Sequence, residues 1–289
     1  MNEIFLQRLA QILPPQALDH FGQPPQYIHF RVNTFKSSIP QMHRQLEGMG
    51  INFERVDWYA PALSVPINQA RMVLDSSLVT QGSLYAQGLE SMRPVMELDP
   101  QPGERILDLC AGPGSKTSQI AMHMRNEGVL VANEPVRPRF YRLKSVLNLT
   151  GAKTTLTMVD GRRFRVGAYS NPPAGEAGTP LLFDRVLVDA PCSAEGRFKK
   201  DEPQTYAYWS LRKIKEMAHK QKGLLLHAGR LLKAGGVLVY STCTFAPEEN
   251  EEVVLWFSRK AEGFKLLKQE RILPDGRMEG FFIAKWQKI

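Results

Sequence analysis

Residues 105–117, RILDLCAGPGSKT, decide the reading of this 289-residue chain. A short apolar run meets a turn with glycines at 112 and 114, and a helix-like stretch opens at Ser115, giving a strand, a tight turn and a helix start. The glycines let backbone approach a ligand closely, and Ser115 or Thr117 is placed to satisfy free amides at the helix N-terminus. A Walker A loop would need glycine in place of Cys110 and Ser115, which argues against nucleotide triphosphate hydrolysis. Thr117 stands where the dinucleotide fingerprint has its third small residue, so that reading fails as well.

Working outward, GVLVAN (128–133), TTLTMV (154–159), DRVLVD (184–189) and GVLVYS (236–241) repeat the pattern of ERILDL (104–109). Near-continuous apolar runs of this kind suit strands covered on both faces, and the spacers are long enough for crossovers. The expected fold is therefore α/β, a doubly wound, mostly parallel, Rossmann-like sheet over residues 76–289, with a small α+β module over residues 1–75 that binds RNA or serves as packing. In that module a helix over 3–13 stops at Pro14 and Pro15, and QYIHFRV (26–32) reads as a strand. A helix over 40–49 and the extended run NFERVDW (52–58) complete a βαβ-like piece, with Arg31, Lys36, His43 and Arg44 expected on its surface. Further on, a helix is expected over 82–98 and a long helix or helix pair over 202–232. AYSNPPAGEAGTP (168–180) reads as a flexible surface loop.

The chain has only three cysteines, and Cys110, Cys192 and Cys243 each lie in the turn that follows an apolar run. A free cysteine is usually a small buried hydrophobe, which would place it inside such a run. Strand ends of a doubly wound sheet converge on one crevice, so the three turns describe one site. If the strands before Cys192 and Cys243 are neighbours, their backbones lie about 4.8 Å apart and both thiols can serve one small substrate. Two acids follow the intervening strands: Glu134, where a carboxylate can accept ribose hydroxyls, and Asp160, where an adenine amine can be bound. Their recurrence after a glycine-rich first turn points to an adenosyl cofactor.

Together DLCAGPGSKT, DAPCSAEG, YSTCTFAPEENEEVV and DGRMEGFFIAKW, with FRVNTFK at residues 30–36, resemble the RNA 5-methylcytosine methyltransferases of the RsmB/Nop/Sun family. The resemblance implies a class I methyltransferase that uses S-adenosyl-L-methionine and modifies ribosomal or transfer RNA. It implies cofactor contacts from Cys110, Ala111, Gly112, Pro113, Gly114, Ser115, Lys116, Glu134, Asp160 and Asp189. It also implies Cys243 as the nucleophile at carbon 6 of cytosine and Cys192 as an aid to release. Asp189 is expected to be protonated or hydrogen-bonded to ring nitrogen 3, in an apolar strand-end setting that raises its pKa. Gly112 and Ser115 stand where the family often has Ala and Gly, and Ala194 where it often has Gly.

A formal charge of +8 and a pI near 9.4 favour polyanionic partners, and Arg197-Phe-Lys-Lys200 beside the Pro-Cys turn is a candidate phosphate contact. Widely spaced cysteines form neither a disulfide framework nor a zinc motif, so no metal is expected. The N-terminus is unlike a signal peptide, and no apolar stretch approaches the roughly 20 residues of a membrane span. A reduced, cytoplasmic protein is the expectation. With no further RNA-binding domain expected after Ile289, target selection is expected from the N-terminal module and the catalytic face. Three rivals are weaker. A DNA-type cytosine methyltransferase takes its nucleophile from the Pro-Cys turn and leaves the Thr-Cys turn unexplained. An amino-methyltransferase wants an aromatic residue after Asn-Pro-Pro, and Asn171-Pro-Pro173 is followed by Ala174. A catalytically idle RNA-binding subunit would not need Cys243, Cys192 and Asp189 intact.

Overall fold

The computed structural model describes residues 1, 3–165 and 182–289, so the loop expected at 168–180, with Asn171-Pro-Pro173 inside it, lies outside the described residues. Two sheets organise the chain. The smaller contains β1 (Tyr27–Val32), β2 (Glu54–Arg55), β3 (Ala62–Pro66) and β4 (Leu84–Ala86) in the order β2-β3-β1-β4, every pair antiparallel. Its apolar face (Phe30, Val32, Leu63, Val65 and Leu84) packs on α3 (Ile39–Gly48), α4 (Ile67–Leu74) and α5 (Ser77–Thr80). Before them come α1 (Glu3–Ile12) and α2 (Pro15–His20).

This module corrects several expectations. It is an antiparallel sheet rather than a βαβ-like unit: β1 pairs with β3, and only two residues of NFERVDW form a strand. Residues 84–86, expected in a helix over 82–98, pair with β1, and the helix starts only after Gly88. The small sheet therefore takes its last strand from beyond residue 75. Arg31 and His43, expected on the surface, are buried, whereas Lys36 and Arg44 are exposed. His43 packs against Phe53, the rings tilted by 36° with centroids 4.8 Å apart. Arg31 donates to Gln87 Oε1 at 2.9 Å and Ser118 Oγ at 2.7 Å, and Asn33 Nδ2 donates to the carbonyls of Gly82 and Thr150, each at 2.8 Å. The FRVN segment is thus the joint between the two sheets.

The larger sheet contains β5 (Arg105–Asp108), β6 (Val129–Asn133), β7 (Thr155–Thr157), β8 (Phe183–Asp189), β9 (Leu232–Thr242), β10 (Phe264–Ile272) and β11 (Phe281–Lys288). Their order is β10-β11-β9-β8-β5-β6-β7, with β5 to β9 parallel and β11 antiparallel to both its neighbours. Alternation along each strand serves two covered faces. Ile106, Leu187 and Val239 meet α6 (Leu89–Leu98) and α7 (Ser115–His123), while α8 (Arg137–Thr150) packs on Ala132. Leu107, Val186, Val188, Leu238 and Tyr240 meet α9 (Leu211–Arg230) and α10 (Glu251–Lys260) on the other side. In place of helix over all of 202–232 there is a 3-10 turn, Pro203–Thr205, before α9. No described helix is long and apolar enough to cross a membrane.

Candidate active site

Parallel neighbours β8 and β9 bring Asp189 level with Ser241, so the turns that follow them rise side by side. Cys192 Sγ and Cys243 Sγ lie 3.3 Å apart, each half-buried. Asp189 is not in an apolar setting, contrary to expectation. Its Oδ2 accepts from Lys116 Nζ at 2.8 Å and its Oδ1 from the Ser241 hydroxyl at 2.7 Å. Lys116, expected among the cofactor contacts, is nearly buried and also donates to Ser91 Oγ at 2.9 Å.

The two thiols are electrically unequal. The Cys192 S–H bond to Cys243 lowers the Cys243 pKa below the usual thiol value, with help from Arg197 and Lys116 and against burial and Asp189. The same bond raises the Cys192 pKa well above it, with burial, Cys243 and Glu249 adding to the rise. Cys243 is the readier thiolate of the pair.

Two buried carboxylates hold this geometry, each reaching from one turn to the other. Glu249 accepts from Ser193 N at 3.1 Å and Gln221 Nε2 at 2.7 Å. Glu195 accepts from Trp209 Nε1 at 2.7 Å, Thr244 Oγ1 at 3.0 Å and Phe245 N at 3.1 Å. Gly196 N donates to Cys243 O at 3.0 Å, which closes the clasp. Burial pushes the Glu249 carboxyl up to about 7. Neither glutamate is singled out by the sequence: Glu249 sits in an acidic run that reads as ordinary helix N-terminal charge. The basic loop after Cys192 also divides. Arg197 is exposed, Phe198 packs on Phe5, Lys199 pairs with Glu279, and Lys200 faces solvent.

On the other side of β5 lies a cavity of about 180 Å³, lined by Cys110, Glu134, Val136, Arg139, Asp160 and Lys220, among others. Glu134 is buried and accepts from Val136 N at 2.9 Å, with Arg139 Nε 3.2 Å from its other oxygen. A Cβ at Gly112 would stand 2.3 Å from that oxygen, so the turn crosses close over the acid and a larger residue here requires the Glu134 carboxylate to shift. Asp160 is held well below the usual carboxylate range, at about 2, by hydrogen bonds from Arg162. Burial pushes the Cys110 thiol far up, and Cys110 belongs to the apolar core. Gly114 (φ 113°) precedes α7 without a side-chain cap, and Thr117, expected to cap, donates to Asp108 Oδ2 at 2.7 Å. Asp108 Oδ1 is buried without a partner, and burial raises this carboxyl to about 7. The apolar run around Asp108 concealed it; an acid inside such a run was the available signal. Pro113 and Ser115 line a second, larger cleft of about 490 Å³ between the sheets, with Tyr27, Tyr85, Glu90 and Arg197.

Residues 95–287 match the family described as 16S rRNA methyltransferase RsmB/F. The chain belongs to this family. It is 34% identical to the 28S rRNA (cytosine-C(5))-methyltransferase of Mus musculus, over all of this chain and 39% of that protein. It is also 34% identical to ribosomal RNA small subunit methyltransferase F of Vibrio vulnificus, over all of this chain and 64% of that protein. The chain therefore spans between 39% and 64% of the length of these relatives. Among solved structures, a methyltransferase homolog from Pyrococcus horikoshii superposes with a TM-score of 0.82 at 29% identity, covering all of this chain and 96% of that one. NSun6 from the same organism gives 0.84 at 22% identity, covering 99% and 98%. The fold is the Rossmann-like methyltransferase fold.

Proposed function

We propose that this chain transfers a methyl group from S-adenosyl-L-methionine to carbon 5 of a cytosine in RNA, through a covalent Cys243 adduct at carbon 6. The observation that carries this reading is the pair of thiols 3.3 Å apart at adjacent strand ends, with Asp189 beside them. Family membership supports it, and the names of the mouse and Vibrio relatives favour ribosomal RNA as the substrate.

The residues around the smaller cavity fit the cofactor. Glu134 offers a carboxylate to ribose hydroxyls and Asp160 an acceptor to the adenine amine. Behind the lining, next to Leu109 and Cys110, the orphaned Asp108 Oδ1 is an acceptor that suits the ammonium group. The glycine turn keeps the approach open. When bound, S-adenosyl-L-methionine supplies an electrophilic methyl group.

Carbon 5 of cytosine is too weak a nucleophile to take that methyl group unaided, so addition at carbon 6 comes first. The Cys243 thiolate forms a sulfur–carbon 6 bond, and the electrons of the 5,6 double bond move into the ring and make carbon 5 nucleophilic. The Asp189–Lys116 pair faces ring nitrogen 3 and bears the proton that balances the developing charge. With the cofactor bound, carbon 5 would bond to its methyl carbon as the methyl–sulfonium bond breaks, leaving S-adenosyl-L-homocysteine. A base removes the carbon 5 proton, the sulfur–carbon bond breaks, and the double bond is restored. Cys192, 3.3 Å from the Cys243 sulfur, donates its S–H to the leaving thiolate and stabilises it.

Denaturing electrophoresis with a cytosine-containing RNA tests this order. Cys243→Ala should form no protein–RNA adduct, Cys192→Ala should accumulate one, and the double variant should form none. An adduct from Cys243→Ala would overturn the assignment. RNA binding without adduct or methyl transfer in any variant or the parent would identify an idle RNA-binding scaffold instead.

A further inference from the structure

Two thiols of the same kind, 3.3 Å apart, need something outside the pair to decide which one loses its proton. The charged groups around them are Asp189 at the end of β8, Lys116 on α7, Glu195 and Arg197 after Cys192, Glu249 before α10, and Glu279 before β11. Most of these are neutralised or turned away. Asp189 and Lys116 form an ion pair with each other, and Glu279 is taken by Lys199. Glu195 spends its oxygens on Trp209, Thr244 and Phe245.

Two charges remain. Arg197 forms no ion pair or side-chain hydrogen bond among the described residues. Its turn is pinned to the Thr-Cys turn by the bond from Gly196 N to Cys243 O, and there is no slack, since a Cβ on Gly196 would lie 2.2 Å from Gly280 O. Arg197 also lines the larger cleft, with Ser91 and Glu90. Glu249 is wholly buried and accepts only from neutral donors, one of them the amide that follows Cys192. A cation carried on a turn pinned to Cys243, and behind Cys192 an acid that ionises as pH rises through about 7, polarise the S–H···S bond in a single direction.

We infer that Arg197 and Glu249 assign the two thiols their roles, Arg197 keeping Cys243 as the attacking thiolate and Glu249 keeping Cys192 as the thiol that donates to it. The inference rests on the proposed chemistry of Cys243 and Cys192 and adds two positioning residues that act on them through space. Burial and the pinned turn set the arrangement before any RNA arrives. The directions of the Cys243 and Cys192 shifts agree with it, and the Arg197 pKa is raised, chiefly by Cys243.

The test uses the full chain without RNA. Iodoacetamide labelling is followed at each cysteine by peptide mass, across pH about 5 to 10. In the parent protein Cys243 should label first, with its rate rising at a lower pH than that of Cys192. Arg197→Met should shift the Cys243 profile up by about one pH unit, a tenfold loss of labelling at neutral pH, and Arg197→Lys should restore most of it. Glu249→Gln should raise Cys192 labelling several-fold and narrow the gap between the sites. Arg197 faces solvent, so its variant keeps the test valid even where Glu249→Gln lowers the melting temperature. An unchanged Cys243 profile in Arg197→Met, or Cys192 labelling first in the parent, would overturn the inference. With RNA absent, that failure is separate from a failure of the adduct experiment, which reads attack on cytosine whatever sets the thiol's charge.

Discussion

The turns after β5 and β9 both carry a cysteine just beyond an apolar parallel strand, yet they make opposite environments for it. Cys110 is packed into the core beneath the glycine turn, faced by Asp108, Asp189 and Glu134, and its thiol is driven far from ionisation. Cys243 is met by a thiol donor and by the field of Arg197, and its ionisation is eased. Position at a strand end therefore selects where a residue points. Whether it reacts depends on the neighbours that other segments deliver: the Pro-Cys turn, the clasp of Glu195 and Glu249, and Lys116 from α7.

The largest expected effect breaks the comparison at its reactive end. Cys243→Ala should reduce methyl transfer to RNA by at least about a thousandfold, the scale seen when a covalent nucleophile is removed. Cofactor affinity should be nearly unchanged, because that cavity lies along Cys110, Glu134 and Asp160. Labelled-methyl incorporation and calorimetry measure the two quantities. A loss of cofactor binding equal to the loss of rate would mean that the two turns do not have separate duties.

The contrast also explains what the sequence disclosed. The five apolar strands were legible because helices cover both faces of the sheet, so nearly every position is apolar. The pair β10 and β11 was not: β10 lies at an edge, where apolar and charged residues mix with no continuous apolar run, and β11, although mostly buried, ends in Gln287 and Lys288. Cys192, Cys243 and Asp189 were legible as strand-end residues, and the structure brings them together. Arg31 was misread because its partners lie 56 and 87 residues away, and local composition can only report a charge as solvated. Asp108 and the two clasping glutamates were hidden for the same reason. Their meaning comes from burial against distant segments.

A smaller effect sharpens the cofactor side. Glu134→Ala should weaken S-adenosyl-L-methionine binding by about 1 to 3 kcal/mol, the range for losing charge-assisted hydrogen bonds. The Cys243 labelling profile should stay as it is. Calorimetry without any change in affinity would remove Glu134 from the ribose site.

Asp108 gives a weaker effect with a definite sign. Its carboxyl is raised to about 7, mainly by burial, so the ionised form that suits a cationic ammonium grows as pH rises through that value. Affinity for S-adenosyl-L-methionine should increase about tenfold between pH 6 and pH 8, and Asp108→Asn should flatten the slope. For the ligand-free fold the sign is reversed. A folded pKa above the unfolded one means that Asp108 contributes stability at low pH and loses it as pH rises through about 7. A binding profile that falls with pH would exclude Asp108 as the ammonium partner.

The smallest expected effect is the control at the inert end of the comparison. Cys110→Ala removes one sulfur from a packed site, which should cost about 1 kcal/mol of stability or less and change the rate of methyl transfer by no more than about threefold. The argument is one of access as well as charge: the thiol is buried in the apolar cluster with Leu109 and Leu224, and its ionisation is opposed by burial and three acids together. In the native parent protein iodoacetamide should therefore leave Cys110 unlabelled at neutral pH while Cys243 reacts, and denaturation should make all three cysteines react alike. If Cys110 labels in the folded state as fast as Cys243, or if Cys110→Ala loses the RNA adduct, then the two turns are chemically equivalent and the separation of a cofactor side from a thiol side fails.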